Sequence, residues 1–64
     1  MTEKELSYVS DAIGHEKNIV KICTETCNYL EETELKDFIK DEIKKHEDNM
    51  NNLLHLLEVN ANEW

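Results

Sequence analysis

The sequence has no proline and no arginine, and its 64 residues include one glycine (Gly14), one tryptophan (Trp64) and two cysteines (Cys23 and Cys27). Each scarcity removes a class of structure or function. With no proline and a single glycine there is no Pro/Gly linker and no turn-rich β pattern, so the length permits one small domain at most. Two cysteines allow one intrachain bridge, far from the disulfide framework of small secreted scaffolds. No phosphate-cradling loop, Gly-rich dinucleotide fingerprint or nucleophile elbow is present, and a conventional enzyme is not expected. No apolar run approaches the ~20 residues of a spanning helix, and the first five residues lack the basic stretch and apolar segment of a signal peptide. The expectation is synthesis in the cytoplasm without membrane insertion.

Positive charge is scarce as well. Seven lysines stand against fifteen Asp and Glu, a formal net charge of -8. Nucleic-acid binding needs clustered positive charge that displaces counterions from phosphates, and none is available here. Anionic membrane surfaces are disfavoured on the same ground. A chain this short also buries little apolar surface when it folds alone, and the usual supports are disulfides, a metal or a partner subunit. Since disulfides are limited, oligomerisation and metal binding lead. Two function classes survive, a structural or interaction module and a metal site.

The residues that are abundant favour helix, and two long helical patterns account for nearly the whole chain. Thr2 and Glu5 have the spacing of a capping box, which opens a helix over about residues 3–31. Along it Leu6, Val9, Ile13, Glu16, Val20, Cys23, Cys27 and Leu30 recur at alternating steps of three and four, the seam of a helix packed lengthwise on another. Ala12, Ile19, Ile22 and Tyr29 widen that apolar face beyond a two-stranded seam, as a bundle helix requires. A turn is expected over about 31–33, where Glu31, Glu32 and Glu34 crowd and Thr33 caps a second helix over about 34–58. That helix follows Leu35, Ile39, Ile43, His46, Met50, Leu53 and Leu57, with Phe38, Leu54 and Leu56 beside them. Residues 59–64 are expected to form a C-terminal tail, in which Trp64 has no assigned role. So short a connection makes the helices antiparallel, and the fold class is an all-α hairpin that dimerises into a four-helix bundle.

Each seam carries one polar interruption, Glu16 in the first helix and His46 in the second. Registering the hairpin about its turn makes facing positions sum to about 62 to 65, which pairs Val20 with Ile43, Ile13 with Met50 and Glu16 with His46. Burying an unpaired carboxylate costs several kcal/mol, so the two polar residues are expected to share one layer. Two roles are open for it. A Glu16–His46 hydrogen bond would fix the register, as a buried polar residue does in coiled coils. Alternatively, a carboxylate and an imidazole from facing helices are part of a metal shell that a two-fold dimer would double, holding iron, zinc or manganese. Carboxylate-bridged di-iron bundles place a Glu three residues before the His, and here Ile43 occupies that position. Glu42 and His15 are the nearby residues that would complete a simpler divalent site. His15 is placed at the seam's edge and His55 in solvent.

Cys23 and Cys27 lie one turn apart on the seam, where small residues would fill the narrow end of a bundle. Cross-links between protomers and a thiolate metal site are the alternatives. Gly14 is either a tolerated surface glycine, costing about 1 kcal/mol relative to alanine, or a point of close approach by a second helix or an ion. Lys36, Lys40 and Lys44 run along one face of the second helix, with Glu32–Lys36 and Asp41–Lys45 as expected surface pairs.

The residues Thr2-Glu3-Lys4-Glu5-Leu6-Ser7-Tyr8-Val9-Ser10-Asp11-Ala12, then Glu16-Lys17, Cys23, Glu34-Leu35-Lys36 and His46 with Leu53, Leu54 and Leu57, resemble the short ferritin-like proteins of clostridia that are grouped with spore coat proteins of the coat F type. The similarity covers about residues 2–58, mostly through helical-pattern positions. It implies a ferritin-like hairpin equal to half of a four-helix bundle, paired with a second copy, and a role in spore coat assembly beside other coat proteins. In ferritin-like proteins the matching Glu and His bind iron, which carries over only to Glu16 and His46.

Overall fold

Thr2 opens the first helix through the reciprocal bonds its spacing allows. The Glu5 N–H donates to Thr2 Oγ1 at 3.1 Å and the Thr2 N–H donates to Glu5 Oε1 at 2.9 Å. Helix α1 then runs Glu3–Tyr29 and helix α2 runs Thr33–Glu63 in the computed structural model, which describes the backbone of residues 1–63 and the side chains of residues 1–60. Together they form an all-α two-helix hairpin, a rod of 49 × 16 × 11 Å measured over Cα positions. At ~1.5 Å per residue the longer helix alone accounts for the length of the rod.

Both ends of the connection differ from the sequence expectation for a common electrostatic reason. Helix α1 stops at Tyr29, short of residue 31, with Leu30 extended (φ -83, ψ 141) and its N–H bonded to the Cys27 carbonyl. The last turn of α1 carries no basic residue. Carboxylates are unfavourable at the negative end of one helix and favourable at the positive end of the next. Glu31 and Glu32 therefore belong to the entry of α2, where the Glu32 carbonyl accepts from the Lys36 N–H at 3.0 Å. Thr33 becomes the first helical residue of α2 instead of the residue preceding it.

The tail expected over 59–64 is corrected more substantially. Helix α2 continues past Glu58 to Glu63 because no glycine or proline stops it, and the Asn60 side chain donates back to the Leu56 carbonyl at 2.8 Å. Trp64 lies outside the described residues.

Packing the two seams together covers little. Among the described residues Ile13 alone is buried, at 7% exposure, while the other seam residues of α1 are half-buried. The exposed apolar residues are not scattered. On α1, Tyr8, Ile22 and Tyr29 share one flank of the seam with Ala12 and Ile19; on α2, Leu35, Phe38, Leu56 and Val59 occupy the corresponding flank. Like flanks of two antiparallel helices fall on the same side of the pair, because reversing a helix and turning it toward its partner exchanges direction and hand together. Among the described residues the hairpin thus has one open face that is apolar toward both ends of the rod, with His15, Glu42, Lys45, Asn49 and Asn52 along its middle. Among the described residues Leu54 is the single large exposed apolar residue on the other flank, beside Ser10, Gly14, Lys17 and Lys40.

Total exposure tells the same story. The chain exposes 5127 Å², whereas a compact folded monomer of 7.6 kDa exposes about 4,300 Å² by the scaling of surface with mass. The surplus is roughly 800 Å². Among the described residues no helix is long and apolar enough to cross a membrane.

Candidate functional site

Glu16 is the central residue of α1 and His46 lies near the middle of α2, so the polar layer sits half way along the rod. The structure brings the two together as their register requires. His46 Nδ1 and Glu16 Oε2 are 2.5 Å apart, with side-chain exposures of 25% and 19%. An ionised carboxylate can only accept, so Nδ1 carries the proton in this bond and Nε2 faces the other way. There it meets Glu42 Oε2 at 4.0 Å, one helical turn back along α2. The imidazole is therefore flanked by two carboxylates from two helices.

A further side chain holds Glu42, and the spacing of charges did not single it out. Lys45 Nζ lies 3.2 Å from Glu42 Oε1. This replaces the expected Asp41–Lys45 pair. The ion pair found lower on the same helix is Lys44–Asp48 at 3.9 Å, with both groups well exposed. Exposed pairs of this kind contribute a few tenths of a kcal/mol at most.

The metal-binding capacity of the layer follows from these distances. Between Glu16 Oε2 and His46 Nδ1, 2.5 Å leaves no room for an ion that needs bonds of about 2.0–2.2 Å to each atom. On the opposite side of the ring Nε2 and Glu42 Oε2 are 4.0 Å apart, wider than the roughly 3.4 Å between two donors on a tetrahedral cation at about 2.1 Å each, so the Glu42 side chain must close on the ring to share an ion with it. One hairpin thus offers two donors there, half of a closed shell. Among the described residues no group of three or more His, Cys, Asp or Glu side chains is arranged to hold a metal ion.

The remaining sequence candidates fall elsewhere. His15 and His55 are exposed and make no bond to the layer, so His15 is not a flanking group within the hairpin. Cys23 and Cys27 are free thiols, half-buried on the seam toward the turn. A Cβ built on Gly14 meets nothing within 4 Å, so no helix approaches it closely inside the hairpin.

Comparison with known proteins leaves the reading to this geometry: no family model matches the chain, and neither the curated proteins nor the solved structures contain a match.

Proposed function

We propose that this protein is a non-enzymatic structural component acting as a homodimer, in which two hairpins close a ferritin-like four-helix bundle, and that it serves in spore coat assembly. The observation carrying the dimer is the open face, with Phe38 at 61% and Tyr29 at 86% exposure on a chain in which Ile13 is the one buried residue among those described. The surplus of roughly 800 Å² is about what each partner contributes to an interface of standard size. A second copy supplies a matching face at no further requirement, since a two-fold interface uses the same patch twice. The coat role is supported by the resemblance over residues 2–58, and it brings other coat proteins in as partners. In this reading the Glu16–His46 bond sets the register of the bundle.

Sedimentation at micromolar concentration tests the dimer: twice the chain mass is expected, and a folded monomer would overturn it. Immunodetection in purified coats tests the location. Presence in vegetative cells with absence from coats would remove the coat role and leave the dimer standing.

Glu42 favours a second reading, a dimeric divalent-metal site for iron, zinc or manganese. Each hairpin contributes His46 Nε2 and Glu42 as donors, with Glu16 holding the imidazole through Nδ1, and two copies would supply two carboxylates and two imidazoles as ligands in one layer. Elemental analysis and melting with added Fe²⁺, Zn²⁺ or Mn²⁺ test it. Bound metal and a raised melting temperature, both lost in Glu42→Gln, are expected; no metal and an unchanged melting temperature would sink it.

A further inference from the structure

The side-chain charge is distributed unevenly along the rod. The Glu16–His46 layer divides the hairpin into a half that contains the turn, residues 17–46, and a half that contains the free ends. Six of the seven lysines lie in the turn half against seven carboxylates, a net charge of -1. Lys4 is the one lysine of residues 1–16 and 47–63, which carry eight carboxylates, a net charge of -7. The open apolar face runs over both halves, with Ile22, Tyr29, Leu35 and Phe38 toward the turn and Tyr8, Leu56 and Val59 toward the free ends.

Two closed arrangements cover this face with a second copy. If both turns lie at the same end, the two strongly acidic halves stand side by side. If the copies run turn to tail, each acidic half lies against the half of its partner that holds nearly all the lysine. Neighbouring helices are 8–10 Å apart, about one Debye length at physiological ionic strength, so the difference in repulsion is felt across the interface. Because the dividing layer lies at mid-rod, running turn to tail costs no overlap of the apolar faces.

We propose that the second copy packs on the open face turn to tail, about a two-fold axis perpendicular to the rod, so that Lys-bearing and acidic halves face each other and the two Glu16–His46 layers meet at the centre. This rests on the self-association proposed above and specifies its face and direction. The axis then passes near Ile19 and Glu42, the residues of the open face at the level of the layer. Cys23 stands seven residues from the layer on α1, so the two Cys23 residues are separated by about 20 Å along the bundle at ~1.5 Å per residue.

A spin label on the turn measures the direction. Glu32→Cys is exposed at the tip, and Cys23 and Cys27 are replaced by alanine so that the label has one site. Turn to tail, the labels sit at opposite ends of a 49 Å rod and the inter-label distance is about 45 Å; turns at the same end give about 20 Å or less. A distribution centred on the long distance supports the proposal. The short distance overturns the direction while leaving the dimer intact. Absence of any inter-label coupling, with a monomer in sedimentation, overturns the self-association as well. The native chain gives an independent check should the alanine substitutions disturb the core. Mild oxidation is expected to yield no disulfide joining the two chains of a dimer, and efficient cross-linking through Cys23 or Cys27 within isolated dimers would overturn the turn-to-tail direction.

Discussion

Glu16 and His46 are 30 positions apart in the chain and 2.5 Å apart in space, joining the centre of α1 to the middle of α2. The pair is the one polar layer in two otherwise apolar seams, and it imposes a register that apolar contacts alone leave free to slip. Its cost and its worth separate in mutants. Replacing either residue singly leaves the other without its partner, and a loss of about 1–3 kcal/mol is expected. Replacing both by leucine removes the desolvated groups together, and a neutral or stabilising effect is expected with loss of a unique register. Chemical denaturation of the two singles and the double, with amide spectra for uniqueness, checks this. A double mutant that loses as much as the sum of the singles would mean that the layer does more than set register.

Gly14 interrupts α1 where its added Cβ would meet nothing within 4 Å. No close contact explains the glycine, so its helix-weakening cost is uncompensated inside the hairpin. Gly14→Ala is expected to stabilise by about 1 kcal/mol. Thermal melting followed by circular dichroism measures it. Destabilisation instead would show that something in the assembled protein approaches this side of α1, opposite to the open apolar face.

How much of this was legible in the sequence depends on which interaction decides each feature. The Thr2–Glu5 capping box and the Glu16–His46 layer follow from spacing, because helical periodicity fixes which residues share a face and the turn fixes which levels meet. The end of α2 was not legible. Asn60 is an ambiguous residue that ends helices in some settings, and here its side chain bonds to the preceding turn and the helix goes on. The partner of Lys45 was not legible either, since Asp41 and Glu42 lie one turn back on neighbouring lines and a flexible side chain reaches both. At the turn, the competition between two helix dipoles for Glu31 and Glu32 placed the boundary, and counting apolar positions could not weigh that.

Acid sensitivity is expected at the start of α1. The Thr2 backbone N–H, followed by the Thr2 hydroxyl, holds the Glu5 carboxyl below its ordinary value of 4.5. A depressed value in the folded state means that the contribution is fully present above the ordinary value and is lost as pH falls through the lowered one. Thr2→Ala removes the hydroxyl that accepts from the Glu5 N–H and is expected to cost about 1 kcal/mol at neutral pH. It should also flatten the loss of stability as pH falls below the ordinary value of 4.5, because less capping remains to be titrated. Melting curves for both chains across that range give the comparison, and parallel pH profiles would show that the box contributes nothing to acid unfolding.

Phe38 and Leu54 offer the most direct contrast between the two sides of the hairpin. Both are large, apolar and exposed, at 61% and 39%, but Phe38 lies on the open face and Leu54 on the polar flank. If the open face is where a second copy sits, a charge at Phe38 must be desolvated in the dimer while a charge at Leu54 stays in water. Phe38→Glu is expected to weaken self-association by at least about 2 kcal/mol, or roughly 30-fold in dissociation constant. Leu54→Glu is expected to leave it within a factor of about two. Since Phe38 contributes little to the core of one hairpin, the Phe38 variant should keep its helicity at high concentration and lose it on dilution more readily than the parent chain does. Sedimentation equilibrium with circular dichroism over a dilution series reads both effects. Equal behaviour of the two variants would place the interface elsewhere on the rod.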